Sequence, residues 1–207
     1  PFLDIRSFDR GINAENVDAF LDGVDLFLDG LDFFVPEVRR LVYGRAREKG
    51  IPVVTAGPIG FGTVALVFDP RGMSFDDYFD MHDGMDPFEQ MLRFYVGLLS
   101  KNWLHAYAVR RFGVDLANKS GPSTPMGCLL ASALAATEIV RILTGRPGLR
   151  PAPWSFQFDP YVRGLRWGRL RWGNRGPLQR LKLWVARKKL RGAKPVFRAA
   201  PAAPPWN

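Results

Sequence analysis

Val24-Asp25-Leu26-Phe27-Leu28-Asp29-Gly30-Leu31-Asp32-Phe33-Phe34 decides how the rest of this chain reads. An apolar run stops at a carboxylate, turns at a glycine and meets a second carboxylate three residues on. Charge at the carboxyl end of a buried strand is how an open α/β sheet presents itself to a ligand. Pro36 with Glu37 then suits the first turn of a helix, whose apolar stripe is Val38, Leu41 and Val42 and which Gly50 ends. A second apolar strand follows, Ile51-Pro52-Val53-Val54-Thr55-Ala56, and a third, Thr63-Val64-Ala65-Leu66-Val67-Phe68. Strand, helix, strand predicts parallel pairing. The third strand comes too soon for a helical crossover, so it reverses and the sheet is mixed.

Outward from this centre the signals weaken. Residues 2–8 read as a short strand, and Asn13 as the cap of a small helix carrying Val17, Phe20 and Leu21, closed by Gly23. Helical turns are expected over Phe75 to Met81, Phe88 to Leu99 and Trp103 to Phe112. Thr124 and Pro125 cap and open a helix that runs to about Leu143. It is small-residued in its early half, and Glu138 and Arg141 break it as a membrane-spanning run. Trp154 to Asp159 reads as a strand, residues 162–172 as a hairpin, and Pro177 to about Leu190 as a basic amphipathic helix ahead of a disordered Ala/Pro-rich end.

Composition bounds the chemistry. With 207 residues and 47% apolar content the chain can bury a core. The single cysteine, Cys128, leaves no internal disulfide or multi-cysteine zinc site and fits a reducing, cytoplasmic setting. Among Gly127, Leu129, Leu130 and Ala131 it reads as a buried structural residue. His82 and His105 lack ligand spacing. No charged-then-apolar leader is read at Pro1. The net charge of +9 is uneven. Residues 1–145 hold fourteen Lys/Arg and nineteen Asp/Glu, whereas residues 146–207 hold fifteen Lys/Arg and one carboxylate, Asp159. The basic segment, with Trp167, Trp172 and Trp184, suits an anionic partner such as RNA, lipid or an acidic surface. Solvated basic surface and docking on the chain's own acidic body suit it equally.

Gly57-Pro58-Ile59-Gly60-Phe61-Gly62 follows a strand as a nucleotide loop does, but a strand rather than a helix comes next, so it reads as a bend between strands beside a ligand. Asp29 and Asp32 are the stronger pair. A carboxylate there can hold Mg²⁺ on phosphate oxygens. The alternative is that Asp29 caps a turn and Asp32 is solvated.

In their order, three blocks resemble the ThiF family, the bacterial relatives of ubiquitin-activating enzymes. Val24 to Phe33 is similar to the family's strand ending in Asp-x-x-Asp-Asn. Gly50 to Gly57, with Gly62 to Phe68, is similar to its Gly-x-Pro-Leu-Val-Ser-Gly-Ala and Gly-x-x-x-x-Phe strands. Ser132 to Gly145 resembles its closing helix. The resemblance implies a Rossmann-like α/β fold, a mixed and mostly parallel sheet flanked by helices. It divides the chain into residues 1–160, the later part of a ThiF-like domain, and 161–207, a basic extension.

It also implies ATP-dependent adenylation of the C-terminal carboxylate of a small ubiquitin-like or sulfur-carrier protein. Asp32 would be the catalytic, Mg²⁺-holding residue, with Asp29, Gly57, Arg39 and Arg40 also on the nucleotide. ATP and Mg²⁺ are the implied cofactors, without zinc, and homodimers are common among relatives. Departures are Phe33 in place of the family's Asn, Glu37 in place of its Arg, and no Gly-x-Gly-x-x-Gly strand–loop–helix ahead of Pro1. The chain therefore reads as a fragment that does not hold ATP tightly alone. A non-catalytic ThiF-like scaffold is the alternative, and a nicotinamide-dependent dehydrogenase ranks last.

Overall fold

The computed structural model describes residues 2–101 and 123–190. The expected helix at 103–112, His105, the loop at 120–122 and the expected disordered end beyond 190 lie outside the described residues. A five-stranded mixed sheet organises the rest, in the order β1 (Phe27–Asp29), β2 (Val53–Ile59), β3 (Gly62–Phe68), β4 (Trp154–Asp159) and β5 (Gly164–Arg169). Helices cover it, so the α/β expectation holds.

Only β1 and β2 are parallel, with Phe27 opposite Val53 and Asp29 opposite Thr55; the other three pairs are antiparallel. A mostly parallel sheet is therefore corrected, and connection length is the reason. Between β1 and β2 the chain has room for a helical crossover, α2 (Pro36–Glu48). Between β2 and β3 only Gly60 and Phe61 intervene, and Gly60 makes the reversal at φ +60°. A four-residue turn likewise joins β4 to β5. The expected hairpin within 162–172 is thus one strand of a longer hairpin, with Trp167 opposite Phe156. Local alternation over 162–172 does not reveal that the partner lies upstream.

Residues 2–8 form no strand: Phe2, Leu3 and Ile5 are exposed, and no described strand lies beside them to take up their backbone groups. Asn13 forms a turn rather than a cap, its Oδ1 accepting from Glu15 N and Asn16 N, and α1 (Val17–Phe20) starts after Asn16. Val17 and Leu21 bury as their spacing predicts.

One face of the sheet carries the main core. Val53, Val64, Leu66 and Phe68 meet Val42, Tyr43 and Ala46 of α2, Phe75, Tyr78 and Phe79 of or beside α3 (Phe75–Phe79), and Phe94 and Leu98 of α4 (Pro87–Leu98). Ser74 and Asp86 cap these last two helices, accepting from Asp77 N and Phe88 N. The other face carries α5 (Pro125–Leu143), capped by Thr124, whose side chain accepts from Gly127 N. Gly127, Ala131 and Ala135 are its buried residues, beside Val54 and Val67. A Cβ at Gly127 would stand 2.5 Å from Gly60 O, so only glycine admits this approach of helix to turn. By length and composition α5 is long and apolar enough to cross a membrane. Here it packs on β2 and β3 as the layer of an α/β sheet, with Glu138 and Arg141 paired at 3.6 Å.

The basic segment is joined to this body. β5 pairs along β4, and α6 (Pro177–Leu190) lays Leu183 among Phe88, Met91, Leu92 and Val96. Asn174 donates to Phe79 O and Arg93 O, Gln179 donates to Val96 O, and Arg187 pairs with Glu89. A boundary at residue 160 would cut through the β4–β5 hairpin.

Candidate active site

A cleft of about 890 Å³ opens at the carboxyl ends of β1 and β2. The Asp29–Phe34 loop, the end of β2 from Thr55 to Ile59, α4 around Phe94 and Leu98, and the small-residue side of α5 line it. Its walls are mainly apolar. The charged residues among its described lining are Asp29, Asp32 and Arg39.

Asp29 ends β1 pointing inward, and its carboxylate is fully engaged. Oδ2 accepts from Arg39 Nε at 2.7 Å and from the Tyr43 hydroxyl at 2.8 Å. Oδ1 accepts from Leu31 N at 3.0 Å and Arg39 Nη2 at 3.3 Å. Arg39 reaches on to the loop itself, donating to Leu31 O at 2.6 Å and Asp32 O at 3.1 Å, with its guanidinium 4.5 Å from the Phe94 ring centroid. One buried cation thereby fixes both the anchor and the carbonyls of the turn. Burial first, and the Asp29 charge second, push the Tyr43 hydroxyl well above the ordinary phenol range, so it remains a donor.

Asp32 is placed differently. Its Oδ1 accepts from Phe34 N at 2.9 Å, closing a turn. The residue is exposed at the cleft, and its Oδ2 has no protein partner among the described residues. Phe33, beside it, packs 5.4 Å from Phe94 and fills apolar space. Asp32 suits a hydrated cation carried in by phosphates, because Mg²⁺ takes one or two carboxylates and keeps several waters. Among the described residues no cluster of three His, Cys, Asp or Glu forms a protein-built cage.

The chain matches the family model for the ThiF family over residues 1–176. It belongs to the ThiF family. No curated protein matches it in sequence. Among solved structures it is similar to the selenomethionine form of PaaA, at 14% identity with a TM-score of 0.43 over 75% of this chain and 38% of that one. The chain thus spans about two-fifths of the length of that structure.

Within this ThiF chain the sequence-derived site residues separate. Asp32 and Gly57 line the cleft, with Asp32 exposed. Asp29 and Arg39 line it too, but their polar atoms face each other and the loop. Arg40 lies outside, holding Asp76 at 2.6 Å and Asp83 at 3.0 Å, and those carboxylates raise its pKa, the Asp76 hydrogen bond most. Cys128 corrects an expectation: it is exposed on α5 and lines the cleft, because Gly127, Ala131 and Ala135 take the sheet-facing side. Sequence reasoning missed Tyr43 and Phe94. Tyr43 was findable, since it stands one turn after Arg39 and shares its face.

Proposed function

We propose that this chain carries the cleft of an ATP-dependent adenylyltransferase, which activates the C-terminal carboxylate of a small ubiquitin-like or sulfur-carrier protein. The observation that carries the reading is Asp32, a solvent-facing carboxylate held at the carboxyl end of a parallel strand pair inside a family of this kind. Asp32 would hold Mg²⁺ with the nucleotide, and the bound cation would neutralise phosphate charge. The Asp29–Arg39 pair keeps the Asp32 turn in one place, so that the carboxylate is already oriented before ligand arrives. The apolar lining excludes water from an acyl-adenylate, which water would hydrolyse.

Arg39 is the one cation on the described lining, and its donors are committed. Phosphate-gripping groups are therefore assigned to residues outside those described here. Among the described residues β1 is paired only with β2, and its other edge is where a glycine-rich nucleotide half would extend the sheet.

The same shortage of cations, with Phe33 packed on Phe94, favours a second reading, a non-catalytic scaffold. Incubating the complete natural protein with Mg²⁺, ATP and small carriers, then weighing the carriers by intact mass spectrometry, separates the two. A carrier gaining one adenylyl group supports the enzyme. Carrier binding with no mass change at saturating ATP supports the scaffold.

A further inference from the structure

Helix α6 has two apolar sides, and among the described residues only one of them is packed. At about 100° per residue, Gln179, Leu183, Ala186 and Leu190 fall on one side. Gln179 and Leu183 are buried, and Leu183, Ala186 and Leu190 pack against α4 residues. Spread over the opposite half of the helix stand Leu178, Leu181, Trp184 and Val185. The first three are 62%, 56% and 52% exposed. A solvent-facing side of a docked helix is ordinarily polar.

Cations bracket this ridge. Arg180 and Arg187 run along one flank, and Lys182 and Lys189 along the other. Lys188 falls on the ridge itself, between Trp184 and Leu181, and lies over the Trp184 ring at 3.9 Å from its centroid. Two of the five have partners: Arg187 pairs with Glu89, and Lys182 donates to Ser100 O. Arg180, Lys188 and Lys189 have no carboxylate partner among the described residues, and residues 177–190 contain no Asp or Glu. Trp172, 62% exposed, and Arg171 continue the same chemistry just ahead of the helix.

We propose that the outer face of α6 is a docking surface for an anionic lipid bilayer. The ridge enters the boundary between headgroups and acyl chains, and Arg180, Lys188 and Lys189 meet the phosphates. Charge complementarity together with apolarity selects this occupant. A nucleic acid would satisfy the cations but leave Leu178, Leu181 and Val185 in water. An apolar protein groove would take the ridge but leave Arg180, Lys188 and Lys189 without anions. A bilayer with acidic headgroups satisfies both at once. The proposal does not depend on the adenylylation reading.

The test is co-sedimentation of the full 207-residue chain with unilamellar vesicles of phosphatidylcholine, alone or with about one third phosphatidylserine. Anionic vesicles should pellet the protein at least tenfold more effectively than neutral ones. Leu181→Gln with Trp184→Gln should lower that binding at least tenfold while leaving the circular dichroism spectrum unchanged, since both side chains point to solvent. Arg180→Gln with Lys188→Gln should also lower it. Undiminished binding by the Leu181/Trp184 variant would overturn the proposal, because cations elsewhere would then be responsible. Binding to RNA but not to anionic vesicles would overturn it in favour of a nucleic acid.

Discussion

Replacing Arg39 by Met tests the anchor beneath the candidate site. The Arg39 side chain is 3% exposed and that of Asp29 is 0%, so solvent screens neither charge. Met keeps most of the apolar stem and its contact with Phe94 but removes both bonds to Asp29 and both bonds to the carbonyls of Leu31 and Asp32. A buried carboxylate is then left with the Tyr43 hydroxyl and Leu31 N alone. Removing one partner of such a buried pair costs about 3–5 kcal/mol, and the four lost hydrogen bonds place Arg39→Met at the upper end. Urea unfolding followed by tryptophan fluorescence measures this directly. Adding Asp29→Asn to Arg39→Met should recover part of the loss, giving a coupling energy of about 1–3 kcal/mol between the two positions. Arg39→Lys should not rescue fully, because an ammonium cannot span Asp29 and two carbonyls in one plane. A loss below about 1 kcal/mol for Arg39→Met, the size of an exposed ion pair, would refute the anchoring argument.

Three further outcomes are expected. Gly127→Ala should destabilise by about 1–3 kcal/mol in the same unfolding assay, because its Cβ meets Gly60 O at 2.5 Å and α5 must back away from the β2–β3 turn. Leu183→Ala should cost about 2–5 kcal/mol if α6 is part of the body, and a free basic tail would instead leave the midpoint unchanged. Burial works against the Glu89 charge, but hydrogen bonds from Arg187 and Arg93 outweigh it and hold the carboxyl below its ordinary range; Ser74 and Arg175 do the same for Asp77. Both groups are depressed in the folded state, so the stability they contribute is present above their unfolded values. It is lost as pH falls through the folded ones. Acid titration of the melting temperature should therefore show a smaller loss in Arg187→Gln than in the parent.

Much of the frame was legible because its causes are local. Apolar runs at 24–29, 51–56 and 63–68, Pro36 behind two carboxylates, and Thr124-Pro125 before small residues each dictate an element within a few residues of themselves. The reversal into β3 followed from chain length alone. What escaped the sequence needs a partner far away. Residues 2–8 alternate like a strand but have no described neighbour. Trp167 could not announce Phe156 as its opposite residue. Asp29 and Asp32 looked equivalent, three residues apart at one strand end. Folding gives one to Arg39 and Tyr43 and leaves the other to solvent. Cys128 looked buried from its apolar neighbours, whereas the glycine and alanines around it are what reach the sheet.

The central claim is that Asp32 holds the metal-bound nucleotide of a carrier-activating enzyme. Carrier-dependent ATP–pyrophosphate exchange by the complete natural protein, measured for the parent and for Asp32→Ala, tests it most directly. Exchange should fall by at least about a hundredfold in Asp32→Ala, with little change in unfolding midpoint because the side chain is exposed. Exchange at the parent rate in the variant would contradict the account and remove Asp32 from the chemistry.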